Sequence, residues 1–327
     1  MARILGFTHP ACLEHDTGPD HPECPDRLGA VLEAVHRAFP SMEWIEAPRA
    51  TRGQLLRVHD ERLLATVLSP PLRGTMRLDP DTLLSPGSPE AALRAVGAGI
   101  AATEAVMSGE TDVAFCAVRP PGHHATADAA MGLCLFGNIA VAAAHALDKF
   151  GLARVAIVDF DVHHGNGTQS IFEHDPRVLY LSSHQSNLFP WTGAPNERGA
   201  GNIVNALLPA GADGRPFRRA WSETLLPALD GFAPQLLFIS AGFDGDARDP
   251  LAGLALEPAD FAWLAAELHR LAARHAEGRI VAMLEGGYHL QALAEGAVAL
   301  VSTLVAGPPQ ADGRAPADGP PQPLFRA

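Results

Sequence analysis

Cysteine is scarce in this 327-residue chain. There are four, Cys12, Cys24, Cys116 and Cys134, and no two of them form a C-x-x-C pair. A disulfide framework is therefore not expected, and free thiols in a reducing cytoplasm are. A Cys12–Cys24 redox pair or metal site is the alternative. Lysine is rarer still: Lys149 is the only one, the other long cationic side chains being arginines, as a GC-rich genome produces. With a formal net charge of −13 the chain lacks the basic face that nucleic-acid binding needs. The acidic balance leaves room for cationic substrates or basic partners, or serves solubility alone. No apolar run reaches the ~18 residues of a membrane span. Met1 to Phe7 is too short before His9 and Pro10 to be a signal core. A cytoplasmic protein without nucleic-acid or membrane partners is expected.

One stretch carries most of the information. Residues 155–158 form an apolar run that drives into Asp159-Phe-Asp161-Val-His163-His164 and then Gly165-Asn166-Gly167. Such runs read as buried parallel strands. Asp159, Asp161 and His163 alternate at period two, so they share one face at the C-terminal end of that strand. Open α/β sheets place their ligands at that end. Two carboxylates and an imidazole on one face are metal-ligand chemistry. Acidic residues after a strand also serve as ordinary helix caps, but here two histidines crowd the same six residues.

The rest of the chain alternates strands and helices. Strands are expected at 3–7, 112–118, 154–160, 178–182, 203–208, 235–240 and 279–284. Helices are expected at 26–39, 89–107, 137–150, 216–229, 258–275 and 290–305, with Pro89, Pro216 and Pro258 at helix starts. This order predicts one α/β domain over residues 1–306, with a parallel sheet covered on both faces. Residues 307–327 are a Pro/Gly-rich tail, expected to be disordered. Segments 68–88 and 184–202 read as long loops, which either carry function or pack their own side chains. No internal repeat is found.

Three further apolar strands end in polar motifs: Arg119-Pro-Pro-Gly-His123-His124, Ala241-Gly-Phe-Asp244 and Glu285-Gly-Gly-Tyr288. Four strand ends thus deliver polar groups to the edge where a parallel sheet puts its site. With the Asp-x-Asp-x-His-His-Gly-Asn-Gly stretch, and in this order, they resemble the zinc-dependent histone deacetylase family. The likeness runs from about His21-Pro-Glu to about Tyr288. Gly165-Asn166-Gly167 resembles the class II branch and its bacterial relatives, which include acetylpolyamine amidohydrolases.

The resemblance implies an arginase-like three-layer fold with a central, mostly parallel sheet of about eight strands. It implies one catalytic zinc ion on Asp161, His163 and Asp244. His124 becomes the general base and acid, His123 the second, orienting histidine, and Tyr288 the donor to the developing oxyanion. Asp159 is implied to hold His123, and Asn166 to hold His124. An amide stabilises an imidazolium less than a carboxylate does, so a low pKa is expected for His124. Structural potassium is implied at two places. The inner one uses Asp159, Asp161, His163 and Ser182; the outer one uses main-chain oxygens near Phe172, Asp175 and Val178.

For substrate, the resemblance points to Gly132, Leu133, Phe189, Leu251 and Gly287. Leu133 replaces an aromatic tunnel wall, and either widens the tunnel or fills the same wall. Leu251 stands where the polyamine-selective deacetylase carries Glu, which leans towards acyl-lysine; Asp79 or Asp81 is the alternative source of an amine-selecting charge. An acidic residue that clamps substrate backbone in class I relatives has no counterpart, Leu84 or a neighbour standing there. Arg27 matches an arginine near an internal product channel. The expected activity is hydrolysis of acylated lysine in a peptide or protein, or of a related acylated amine. An acetylpolyamine deacetylase is the alternative, and a non-catalytic acyl-lysine binding module the third reading. A homo-oligomer is left open.

Overall fold

The computed structural model describes residues 2–307; the rest of the expected tail, 308–327, lies outside the described residues. The strands are β1 Ile4–Thr8, β2 Glu43–Glu46, β3 Met76–Arg77, β4 Leu83–Leu84, β5 Val113–Cys116, β6 Val155–Asp159, β7 Val178–Gln185, β8 Ile203–Leu208, β9 Leu236–Ala241 and β10 Ile280–Leu284. Eight of them form one sheet in the order β2-β1-β5-β10-β9-β6-β7-β8. Every pairing in it is parallel. The "mostly parallel" expectation is therefore exceeded. β3 and β4 make a separate antiparallel hairpin.

The four central strands β5, β10, β9 and β6 are buried along their whole length, which is why they read as continuous apolar runs. Helices cover the sheet: α1 Pro25–Ala38, α2 Arg52–Leu55, α3 Glu61–Val67, α4 Ser88–Ser108, α5 Asn138–Phe150, α6 Asn166–Phe172, α7 Gly214–Ala220, α8 Leu226–Phe232, α9 Pro258–His275 and α10 Leu290–Ala306. α4 packs on α5, and α1 and α9 pack on α10, giving the two helical layers.

Some expected boundaries move. β2 was not expected: its Glu43 and Glu46 are exposed, so no apolar run announces this edge strand. It is held by Trp44, whose ring lies where a side chain on Gly6, its register partner, would be. Segment 68–88 is not structureless; it contains the β3–β4 hairpin, and α4 begins at Ser88. His184 and Gln185 belong to β7, so the second long loop starts later than the residues suggest. The helix expected at 216–229 starts at Gly214, where Asp213 accepts from the Arg215 N–H, and runs through a π-turn at Trp221–Leu225 into α8. Leu84 is fully buried in a core cluster with Leu55, Leu63 and Phe136, and offers nothing to a substrate.

Candidate active site

Strand ends at the middle of the sheet set out the site. After β6, the Asp161 and His163 side chains meet Asp244, which follows β9. His163 Nδ1 lies 3.1 Å from Asp161 Oδ1 and 3.2 Å from Asp244 Oδ2. One ligand atom from each of the three residues lies within 4.8 Å of the others. Main-chain N–H groups aim the carboxylates: Gly286 donates to Asp161 Oδ2 at 2.9 Å and Val162 to Asp244 Oδ1 at 3.0 Å. A side chain on Gly286 would overlap both carboxylates, so glycine is required there. Two hard oxygens and one imidazole nitrogen, fixed by such outer contacts and facing a cavity, fit a metal with open coordination positions.

His123 and His124 sit on the turn after β5, their ring centroids 4.0 Å apart. His123 Nδ1 donates to Asp159 Oδ2 at 2.9 Å. Burial works against its charged form, but the Asp161 and Asp159 carboxylates outweigh that and hold its pKa well above the usual histidine range. His124 Nδ1 bonds Asn166 Oδ1 at 2.8 Å. An amide oxygen only accepts, so Nδ1 carries the proton and Nε2 is left as the basic nitrogen. Burial, then the neighbouring His123 and His163, push the His124 pKa well below normal. Burial is the main cause, and the Asn166 hydrogen bond works the other way. Adjacent histidines are thus driven apart, the arrangement that separates an acid from a base.

Tyr288 follows β10, with Arg27 stacked 4.9 Å from its ring centroid. Its main-chain N–H donates to Asp249 Oδ2 at 2.7 Å. Burial raises the phenol pKa well above 10, so the hydroxyl keeps its proton.

A cavity of about 200 Å3 joins these groups; Asp81, His124, Gly132, Leu133, His163, Leu188, Phe189, Leu251 and Tyr288 line it. Gly132 has φ +55°, and a side chain there would strike the rings of His124 and Phe189. Of the expected substrate residues, Gly132, Leu133, Phe189 and Leu251 line this cavity. Gly287 does not; its carbonyl accepts from Arg27 Nε at 2.6 Å, behind the tyrosine. The two loop carboxylates differ in role. Asp79 is used up on main-chain N–H groups of Asp81, Thr82 and Gly132. Asp81 faces the cavity, and half-burial, then Asp79, raise its pKa to about 6. A larger groove of about 410 Å3 lies elsewhere, between α5 and α6, and its charges are already paired as Arg57–Asp148 and Arg177–Asp175.

Three residues to which the sequence assigns no role are part of the site's support. Glu285 Oε2 accepts from the N–H groups of Gly122 (2.7 Å) and His123 (3.2 Å), while Oε1 accepts from Ser240 Oγ at 2.9 Å. It therefore ties the histidine turn to β9 and β10. Tyr180 of β7 donates to Asp159 Oδ2 at 3.0 Å and accepts from the Gly165 N–H at 3.1 Å. Glu23 is fully buried between Arg119 (2.5 Å) and Arg27 (2.9 Å), making Arg119 of the Arg-Pro-Pro-Gly motif a structural ion. A charged residue at the end of an apolar strand, as Glu285 is, was the available signal.

The inner-cation residues Asp159 and Ser182 are register partners on β6 and β7. At the outer position the carbonyl oxygens of Phe172, Asp175 and Val178 do converge, but on the side-chain amide of Asn202.

Comparison with known proteins agrees with this geometry. The family model described as histone deacetylase domain matches residues 21–304. The histone deacetylase-like amidohydrolase of Pseudomonas aeruginosa is 40% identical over 311 residues, covering 88% of this chain and 82% of that protein. A probable deacetylase of Archaeoglobus fulgidus is 37% identical, covering 86% of this chain and 80% of its own. The crystal structure of the HDA15 HD domain superposes with a TM-score of 0.87 at 34% identity, covering 94% of this chain and 89% of that one. The fold, the site and these relatives agree: the chain belongs to the histone deacetylase family.

Proposed function

We propose that this chain is a zinc-dependent amidohydrolase that deacylates acyl-lysine side chains or related acylated amines. The observation that carries it is that His163, His124 and Tyr288 line one cavity, with Asp161 and Asp244 clustered on His163 as a ligand set. Family membership supports hydrolysis by a deacetylase or amidohydrolase; the zinc requirement and substrate are the proposal.

Asp161, His163 and Asp244 would hold the zinc, which would supply Lewis-acid polarisation of the substrate carbonyl and a lowered pKa of water. The protein's own residues do the rest. His124, neutral with Nε2 free, takes a proton from the attacking water and passes one to the leaving amine. His123, whose charged form the Asp161 and Asp159 carboxylates favour, sets a positive charge beside the negative charge that develops. The protonated Tyr288 hydroxyl donates to the former carbonyl oxygen as it becomes an oxyanion. Gly132, Leu133 and Phe189 line the path for the aliphatic stem, with one aromatic face where two would sandwich it. Asp159, Asp161, His163 and Ser182 are the residues for an inner monovalent cation.

An acetylpolyamine substrate is the second reading, favoured by the Asp81 carboxylate in the cavity wall. Leu251 favours acyl-lysine, because it puts an apolar side chain where an amine-selecting carboxylate would be. The deciding experiment is turnover by zinc-loaded protein of acetyl-lysine peptides, longer acyl-lysine peptides, and N-acetylated putrescine, cadaverine and spermidine, with Tyr288→Phe as control. Preference for peptides supports the acyl-lysine reading; preference for polyamines that is lost in Asp81→Asn supports the second. No Tyr288-dependent turnover of any member would overturn the enzyme reading and revive that of an acyl-lysine binding module.

A further inference from the structure

Between the end of α6 and the start of β7 the chain turns so that three main-chain oxygens, of Phe172, Asp175 and Val178, point at one spot. Three converging carbonyls form a cradle for a monovalent cation or for a strong hydrogen-bond donor. In this chain the Nδ2 atom of Asn202 lies 2.7 Å from Phe172 O, 3.0 Å from Asp175 O and 2.8 Å from Val178 O. The Asn202 side chain enters from the loop before β8 and is 4% exposed.

The amide orientation follows from its other end. Asn202 Oδ1 accepts from the Ala200 N–H at 3.0 Å. Turning the amide over would set an oxygen against three oxygens and an NH2 against an N–H donor. The amide has two hydrogens for three acceptors, so one is shared. Each part of the arrangement also holds another. Ala200 N–H donates to Glu173 O at 2.7 Å, and Tyr180 N–H donates to Asn202 O at 2.9 Å. The clamp therefore fastens the end of α6 to β7, and α6 carries at its start Asn166, the partner of His124.

We propose that Asn202 is a built-in substitute for a monovalent cation: its amide nitrogen fills the Phe172–Asp175–Val178 carbonyl cradle, so the cradle takes no potassium in this chain. An ion at that spot would have to displace Nδ2 from three acceptors, and the displacement would also strip Ala200 N–H of Oδ1. The Ala200 N–H would keep Glu173 O, but the buried Asn202 Nδ2 would lose its three acceptors, which is costly, whereas potassium entering from water still has to lose its hydration. The inference concerns a structural clamp and is independent of the reaction.

The test is crystallographic. Crystals of the full chain, wild type and Asn202→Ala, are equilibrated in rubidium chloride, and anomalous difference maps are read at the cradle. No peak within bonding distance of the three carbonyls is expected in the wild type, and a peak is expected in Asn202→Ala, whose truncated side chain opens the cradle. A wild-type rubidium peak bonded to Phe172, Asp175 and Val178 overturns the proposal. Should Asn202→Ala not fold, Asn202→Asp is the second variant. Its carboxylate repels the carbonyls, so its melting temperature should rise when potassium replaces choline at equal ionic strength, by more than the wild type's does. An equal response in the two proteins also overturns the proposal.

Discussion

Around and beneath the cavity several ionisable groups have fixed partners. Asp159 is held by His123 and Tyr180, His124 by Asn166, and Glu23 by two arginines. At the rim the contacts thin out. Trp191 is 76% exposed and holds a left-handed φ of +60°, touching Phe189 edge-on, and Leu251 is 39% exposed. The floor is over-determined and the rim is lightly held. On the proposed function, the chemistry would be set by strand ends, and substrate choice would fall to side chains that fewer contacts restrain.

That contrast can be broken first at the metal ligands. Asp244→Asn or His163→Ala should abolish turnover, with zinc content by elemental analysis falling in step; turnover that survives metal loss would remove the floor's claim to the chemistry. Tyr288→Phe comes next, with kcat expected to fall about 10²–10³-fold and KM little changed, as for loss of one oxyanion donor. Arg119→Met leaves Glu23 short of its main counter-charge, which lies fully buried. It should cost about 3–5 kcal/mol of stability by denaturant unfolding.

A smaller effect sharpens the two-histidine arrangement. Asn166→Asp places a carboxylate on His124 Nδ1 and favours the imidazolium, raising its pKa. The base must be unprotonated to act, so activity is lost as pH falls through that pKa. The acidic limb of kcat/KM should move to higher pH, and an unmoved limb would separate His124 from the base role. The smallest change is at the rim. Trp191→Gly relieves a left-handed backbone that a bulky residue resists, by about 1–2 kcal/mol before glycine's own entropy cost. Thermal stability should hold or rise while KM for peptide substrates increases; a fall in both stability and kcat would make Trp191 part of the floor.

The same contrast governs what could be read from the sequence. β5, β6, β9 and β10 are buried on both faces, so their apolar runs and the polar residues that end them were legible. So was the fold class, since alternating strands and helices leave few arrangements. The edge strand β2 was hidden because half its residues face water. α2 and α3 were missed although Thr51 and Gln54 form a capping box and Asp60 caps the next helix; both helices are too short to show an apolar period. α6 was masked by Gly165 and Gly167, read as a turn, although Asn166 opens a helix. Glu285 and Asp249 accept from main-chain N–H groups of distant turns, and Tyr180 bonds the Asp159 carboxylate and the Gly165 N–H; no local spacing announces such contacts. Gly287 fell outside the cavity because its left-handed backbone, at φ +122°, turns its carbonyl towards Arg27.

The strand order β5-β10-β9-β6 has a kinetic consequence. Neighbours in the middle of the sheet are far apart in the chain: Val113 registers with Ile280, and Val155 with Leu236. Each such pairing closes a long loop before any contact rewards it, which makes assembly slow. The ligand set spans β6 and β9, and the histidine turn and tyrosine flank them from β5 and β10. No fragment that lacks β5, β6, β9 or β10 can hold a complete site, and regained activity on refolding is a clock for closure of the sheet's centre.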